Sequence, residues 1–579
     1  PERSRSSMRK IPLFLLAGAL AACGHPQSAA PPAVAAPTPQ ALLAHSEEFK
    51  PGVIKVTDGV YVAVGYGIAN SILLEGSDGA IVVDTMESVE SARKVLAEFR
   101  KVSDKPVKAI VYTHSHPDHV GGAAVFVPPG TSVPIYAQED VAANMDKIAS
   151  ELQPVITQRS LRMYGAQLPP EERINLGIGG FLDLQEGSTV GTLRPTRTFR
   201  DQLEDTVAGI HFQLVHAPGE TEDQLFMWLP ERGVLLCGDD FYKSFPNLYT
   251  IRGTGYRDPK LWAASLDRMR ALHPRFLVPS HTRPLSGAAS IDAALTDYRD
   301  GIRYVYDQTI RLMNQGLLPD EIAARVKLPP HLAASPWLQP FYGKPSWSAK
   351  SIFGGTLGWY SGDPAGLQPL EPTDEARRMV EMAGGGTALD ERIEAALSKQ
   401  DYQWVLQLSG YALRADPADA RAHQARSVAL RALGGAETNP PARDWYFVAA
   451  RELDGQIKLP RRIVKPTPEM LAAMPLSIFF DGMAVNLHAE DCLDRTIRTG
   501  FEFSDSGERY TYIVRRGVSE VVPDIGDDVD LRVGVSAQDF KEMLAGIRNP
   551  ALSIATDFHM LKGNKLEFAG FMKLFQPPG

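Results

Sequence analysis

Four side chains able to hold a metal ion, His114, His116, Asp118 and His119, fall within six positions of the stretch VYTHSHPDHVGG. They follow the apolar run Ala109-Ile110-Val111-Tyr112, which reads as a buried strand. Imidazole nitrogen and carboxylate oxygen are the ligands a borderline ion such as zinc prefers. On a turn leaving a strand, alternate residues can point to different sides, so one pair can serve one ion and a second pair its neighbour. The bland alternative is a polar surface loop, but three His and an Asp at this spacing, closed by Gly121-Gly122, seldom arise by accident.

The elements that must position these ligands are legible on both sides. Before the motif come the runs VIKV, GVYVAVG, NSILLEG and AIVVDTM in residues 52–86, then a helix over 88–101 and a strand over 107–113. After it, apolar runs end at 214–216 (LVH), 225–229 (LFMWL), 234–237 (VLLC) and 276–279 (FLVP). Strands interleaved with helices predict an α/β domain of two sheets flanked by helices. From about 288 to 435 the pattern turns helical. Ile302, Val305, Tyr306, Thr309, Leu312 and Met313 form one stripe, and helices over 388–413 and 417–434 are split at Asp416-Pro417. Broad apolar faces carrying Tyr402 and Trp404 need a partner surface. Intramolecular core is one reading and a homodimer interface is the sharper one. From about 465, the helix opened by Thr467-Pro468, strands over TIRTGFEF, RYTYIVRRG and DLRVGV, and two closing helices give an α+β order.

A chain of 579 residues is too long for one core, so several domains are expected. A net charge of -9 argues against nucleic acid as a partner, though a few arginines in a cleft still suit a small anion. At the N-terminus, Met8, Arg9-Lys10, an apolar run from Ile11 to Ala22 and Cys23 make a secretory signal too short for a membrane span. Leu20-Ala21-Ala22-Cys23 resembles a bacterial lipobox, which implies lipidation at Cys23. The chain is then expected in the periplasm, anchored to the membrane, with Gly24 fitting outer-membrane sorting. Residues 25–45, rich in Ala and Pro, read as a tether. The other cysteines, Cys237 and Cys492, give no reason to expect a disulfide.

The spacing of His114, His116, Asp118 and His119 resembles the HxHxDH signature of the metallo-β-lactamase superfamily. That resemblance implies an αββα sandwich and two zinc ions per chain. It matches His216, before Ala-Pro-Gly, to a ligand of the first ion together with His114 and His116. Asp118, His119 and His281 match the second set, and Asp239 the bridging carboxylate, with Asp240 as the alternative bridge. Asp118 and Asp239 are the carboxylates closest to the implied chemistry. RMYGAQLP, FPNLYTIRGTGYRD and YGKPSWSAKSIFGGTLGWYSGDPA narrow the resemblance to the bacterial alkyl sulfatases. These imply a catalytic domain over 46–287, a helical dimerisation domain over 288–440 and a sterol-carrier-like domain over 465–579. They also carry over Asn247 and Arg252 as sulfate-binding residues and Tyr164 as a pocket wall. An arginine fork suits a sulfate because it donates two parallel hydrogen bonds to a tetrahedral oxyanion.

The implied reaction is hydrolysis of an amphiphilic alkyl sulfate to alcohol and inorganic sulfate by a metal-activated hydroxide. One departure stands out. Where the family has a Glu ligand at the end of its Thr-Glu-Ala-Pro-Ala-Glu run, this chain reads Glu220-Thr221-Glu222-Asp223-Gln224. His216, Glu222 or Asp223 is then expected to complete the first ion's ligands. The competing readings are another hydrolase of this fold, acting on a phosphoester or lactone, and a lipid-binding envelope lipoprotein with a structural metal.

Overall fold

The computed structural model of the chain describes residues 39–575. The expected signal segment and Cys23 lie outside the described residues. The first sheet starts with β1 (Gly52–Thr57), β2 (Val60–Val64), β3 (Ser71–Glu75), β4 (Ala80–Val83), β5 (Val107–Val111) and β6 (Ile135–Gln138). A short β7 (Ser188–Val190) leaves the sheet, and β8 (Arg197–Phe199) closes it in the order β1-β2-β3-β4-β5-β6-β8. The second sheet holds β9 (Gln202–Val207), β10 (Ile210–His216), β11 (Leu225–Leu229), β12 (Val234–Gly238), β13 (Phe276–Pro279) and β14 (Leu285–Ser286). Its strands follow the order β14-β13-β12-β11-β10-β9.

The burial of each strand follows from its place. β4 and β12 are buried at every position, as strands covered on both faces must be, and their residues are apolar without interruption. Val62, Ile72, Ile81, Val83 and Val111 of the first sheet meet Phe212, Leu214, Met227, Leu236 and Val278 of the second in one core. The helix Val89–Phe99, capped by Ser88, lays Val95 and Phe99 on the outer face of the first sheet. The helices Pro259–Ala271 and Ala288–Met313 cover the second sheet with Trp262, Leu266, Leu295 and Tyr298. Each such fully buried side chain is worth about 1.5–3 kcal/mol. The layers are therefore helix, sheet, sheet, helix.

Several boundaries differ from the sequence expectation. The tether expected through residue 45 ends earlier: Gln40–His45 is a helix with Leu42 and His45 buried, and His45 stacks on Phe341 at 4.1 Å. The helix Ala288–Met313 packs on the second sheet, sharing one core with Trp262 and Leu266. Its stripe of Ile302, Val305, Thr309 and Leu312 is buried within the chain, so intramolecular core is the correct reading there. The helix expected over 388–413 is two, Gly386–Ser398 and Tyr402–Ala415, broken where Gln400 takes a φ of +60° and Asp401 caps the next start. The following helix begins at Ala420 under an Asp419 cap, with Pro417 left in the preceding turn. These helices pack together through Leu389, Ile393, Val405, Leu408 and Ala425.

The C-terminal α+β unit joins the body by β15 (Val464–Pro466), which pairs in parallel with β7. Its five-stranded sheet is built from β16 (Thr496–Phe503), β17 (Arg509–Arg515), β18 (Val518–Pro523), β19 (Leu531–Val535) and β20 (His559–Lys562). The strand order is β18-β17-β16-β19-β20, and the interior is filled by Phe480, Phe501, Phe540, Phe568 and Phe571. Cys237 and Cys492 are free and buried. Among the described residues, no helix is long and apolar enough to cross a membrane.

Candidate active site

Strand ends on both sheets converge at one rim. β4 delivers Asp84 in left-handed backbone, φ +58°, and β5 delivers Thr113, His114 and His116. The one-turn helix Pro117–Val120 carries Asp118 and His119. Gly121 and Gly122 are required here. A Cβ on Gly122 would lie 2.3 Å from the Thr85 oxygen, and one on Gly121 would lie 2.4 Å from the Glu87 oxygen. From the second sheet, β12 ends at Gly238, φ +56°, and presents Asp239, while β13 is followed by Ser280 and His281.

Asp239 is the hub. Its Oδ2 lies 3.6 Å from His114 Nε2, 3.4 Å from His119 Nε2 and 3.1 Å from His281 Nε2. Asp118 Oδ2 lies 3.4 Å from His119 Nε2 and 3.5 Å from His281 Nε2. His114 Nε2 and His116 Nδ1 are 2.9 Å apart. Three groups of mutually close donor atoms result: His114, His119 and Asp239; Asp118, His119 and His281; His116, Glu220 and Asp239.

The outer nitrogens of the rings are held from behind. His119 Nδ1 is 2.8 Å from Asp84 Oδ2, and that carboxylate also accepts from Thr113 Oγ1 at 2.9 Å and Ser280 Oγ at 2.6 Å. His281 Nδ1 is 2.8 Å from the Ile68 carbonyl oxygen. Such bonds fix the tautomer and turn Nε2 toward a ligand. Charge follows the packing. Burial lowers the pKa of His114 to about 4, with the neighbouring His119 acting in the same sense. Burial would raise Asp118, but His119 and His281 pull it down to about 2. Burial would lower His119, but Asp239, Asp118 and Asp84 lift it well above the usual range.

The arginine side of the site is adjacent. Arg252 Nη2 lies 3.2 Å from His116 Nε2. Its loop is gripped by Arg159, whose Nε and Nη2 donate to the carbonyl oxygens of Arg252 and Ile251, both at 2.6 Å. Arg159 also lies over the Trp445 ring at 5.3 Å, tying this loop to the helix Pro440–Leu453. Asn247 is buried, and its Nδ2 has no hydrogen-bond partner. Tyr164 meets Tyr342 hydroxyl to hydroxyl at 2.9 Å.

The structure thus brings together His114, His116, Asp118, His119, Asp239 and His281, with Asn247, Arg252 and Tyr164 around them. His216 stands apart from them. It ends β10, is partly exposed, and its Nε2 bonds the Glu222 carbonyl oxygen at 2.7 Å, outside every donor group. The alternatives fail as well. Glu222 is exposed, and the Asp223 carboxylate accepts from Asn144 and Thr221. The carboxylate that arrives is Glu220. Gly219 lets its loop press onto Asp240, where a Cβ would lie 1.8 Å from Asp240 Oδ1, and Glu220 N donates to that oxygen at 3.3 Å. Asp240 is consequently turned away from the hub, and burial raises its carboxyl well above the usual range.

Residues 64–281 match the metallo-beta-lactamase superfamily, 318–456 match the alkyl sulfatase dimerisation family, and 465–579 match the alkyl sulfatase C-terminal family. A linear primary-alkylsulfatase of a Pseudomonas strain is 38% identical over 87% of this chain and 98% of its own length. The chain belongs to the alkyl sulfatase family. A second Pseudomonas relative, an (R)-specific secondary-alkylsulfatase, is 28% identical over 91% of this chain and 81% of its own. Among solved structures, the stereoselective inverting sec-alkylsulfatase Pisa1 from Pseudomonas superposes with a TM-score of 0.84 at 25% identity, covering 91% of this chain and 85% of that one. The αββα domain, the helical domain and the C-terminal domain are therefore those of an alkyl sulfatase.

The donor set of this alkyl sulfatase family member suits a metal. His119 Nε2, Asp239 Oδ1 and Glu220 Oε2 are buried without a hydrogen-bond partner, and three carboxylates, Asp118, Asp239 and Glu220, converge on the same space. Buried carboxylate oxygens left without a partner call for a cation, and nitrogen with oxygen but no sulfur is a set that divalent zinc accepts. Glu220, Asp84, Arg159 and Tyr342 are the site residues that sequence reading passed over. Of these, only Asp84, ending the apolar AIVV run, had a local signal.

Proposed function

We propose that this chain is a metal-dependent alkyl sulfatase that cleaves the C–O bond of an amphiphilic sulfate ester, giving an alcohol and hydrogen sulfate. The observation that carries the reading is the fixed guanidinium of Arg252, 3.2 Å from a ring of the metal-binding cluster. Such placement suits an ester whose leaving group is a tetrahedral anion. Two zinc ions are the proposed occupants, one held by His114, His116 and Glu220, the other by Asp118, His119 and His281, with Asp239 between. Ions of this kind, when bound, supply a water that is nucleophilic near neutral pH. Arg252 and the free Nδ2 of Asn247 bind the sulfate oxygens and stabilise the charge that grows as the C–O electron pair leaves with them. Tyr164 and Tyr342 wall the same pocket. The test is sulfate release from alkyl sulfates of graded chain length. Zinc-loaded protein is expected to turn them over, and chelation to stop it until zinc returns. A loaded protein that releases no sulfate from any of them ends this reading.

A homodimer is proposed through the arm after the catalytic body. Leu357, Trp359, Leu367 and Met382 are 61%, 80%, 56% and 74% exposed within the span matched to the dimerisation family. Light scattering at micromolar concentration is expected to give twice the chain mass. Trp359→Ser should weaken association by about 2 kcal/mol or more, the scale of an interface hot spot. A wild-type monomer would refute the dimer.

Anchoring in the envelope through Cys23 is a further proposal, supported by the lipobox-like LAAC stretch. Labelled fatty acid is expected to enter the wild type and not Cys23→Ser. Equal labelling of both would remove the anchor.

A further inference from the structure

Arg257 lies one residue before the Asp258 cap of the helix Pro259–Ala271, and it is turned inward. Its side chain and that of Glu220 are each 2% exposed, and they pair with Nη1 2.9 Å from Oε1. The same Nη1 donates to the main-chain oxygen of Asn247 at 2.5 Å. Arg257 therefore touches one residue of the metal cluster and one of the anion pocket. Its Nε and Nη2 are buried without hydrogen-bond partners, and so is Glu220 Oε2. A buried ion pair with three of its five polar side-chain atoms unpartnered is a poor stabilising device, because desolvation offsets the attraction. Fixing a geometry is a better account of it.

We infer that Arg257 is a positioning residue that locks Glu220 and the Asn247 loop into one frame. By occupying Oε1 it leaves Oε2 of Glu220 for the ion. Through Asn247 it sets how far the sulfate donors stand from that ion. The inference rests on the reading of Glu220 as a metal ligand.

The test is zinc affinity of the full chain by competition with a chromophoric chelator, together with inhibition by inorganic sulfate. Arg257→Gln is expected to lower the affinity for one of two ions by about 10–100-fold, the effect usual for a partner of a metal ligand. It should also weaken inhibition by sulfate. Glu220→Gln combined with Arg257→Gln should bind zinc no more weakly than Glu220→Gln alone, because the two act through one contact. Arg257→Lys, which keeps charge without the fork, should recover only part of the loss, and it carries the test if Arg257→Gln does not fold. The inference is overturned if Arg257→Lys and Arg257→Gln lower thermal stability alone and leave zinc affinity at the wild-type value. It is equally overturned if the loss persists in full in the Glu220→Gln background. A Glu220→Gln variant that binds both ions like wild type would instead overturn the reading of Glu220.

Discussion

Asp239→Ala is expected to empty both halves of the metal cluster and to lower alkyl sulfate turnover by about 10⁴-fold or more, the scale of losing one member of an interdependent catalytic unit. Oδ2 of this one carboxylate stands within 3.6 Å of three imidazole nitrogens, so its removal leaves His114, His119 and His281 without a common partner. Glu220→Gln should be narrower, weakening one ion and sparing the set of Asp118, His119 and His281. His216→Ala should leave both ions in place, since that ring is engaged with the Glu222 carbonyl oxygen outside the cluster. Elemental analysis of zinc-replete proteins reads all three. Retention of two ions by Asp239→Ala would remove the hub role, and loss of an ion from His216→Ala would restore that histidine as a ligand.

The second large effect belongs to Arg252. Arg252→Ala is expected to lower turnover of alkyl sulfates by about a hundredfold or more, as when one oxyanion-stabilising donor is lost. In the proposed role the bonds from its guanidinium would strengthen as charge develops on the leaving sulfate, so the loss should fall on kcat as well as KM. Arg252→Lys keeps the charge but not the planar fork, and it should recover little. Zinc content should stay at the wild-type value, because Arg252 touches His116 but is no ligand. Any hydrolysis of a neutral lactone should be nearly unchanged, since that substrate has no sulfate to hold. Sulfate ester hydrolysis that survives Arg252→Ala unchanged would relocate the anion pocket.

The sequence by itself determined the motif, the sandwich and the family. His114, His116, Asp118 and His119 are local to one turn, and the strand that feeds them is an unbroken apolar run, so spacing and composition suffice. That Arg252 and Asn247 lie together was also legible, because they belong to one recognisable loop. The remaining carboxylate of the cluster was not. His216 sits at a strand end beside Ala-Pro-Gly and looks the part, yet its Nε2 is engaged by the Glu222 carbonyl oxygen, away from the cluster. Glu220 reaches the cluster only because Gly219 lets the loop close onto Asp240, a contact across 20 residues that no local pattern encodes. Tyr342 meets Tyr164 across 178 residues, and Arg257 finds Glu220 only once the second sheet and its helices are stacked. The stripe of Ile302, Val305 and Leu312 announced an apolar face but not its partner, since a helix buries the same side chains against its own sheet or another chain. Which surface covers an apolar face, and which carboxylate joins a cluster of imidazoles, are matters of long-range packing, and the tertiary structure alone decided them.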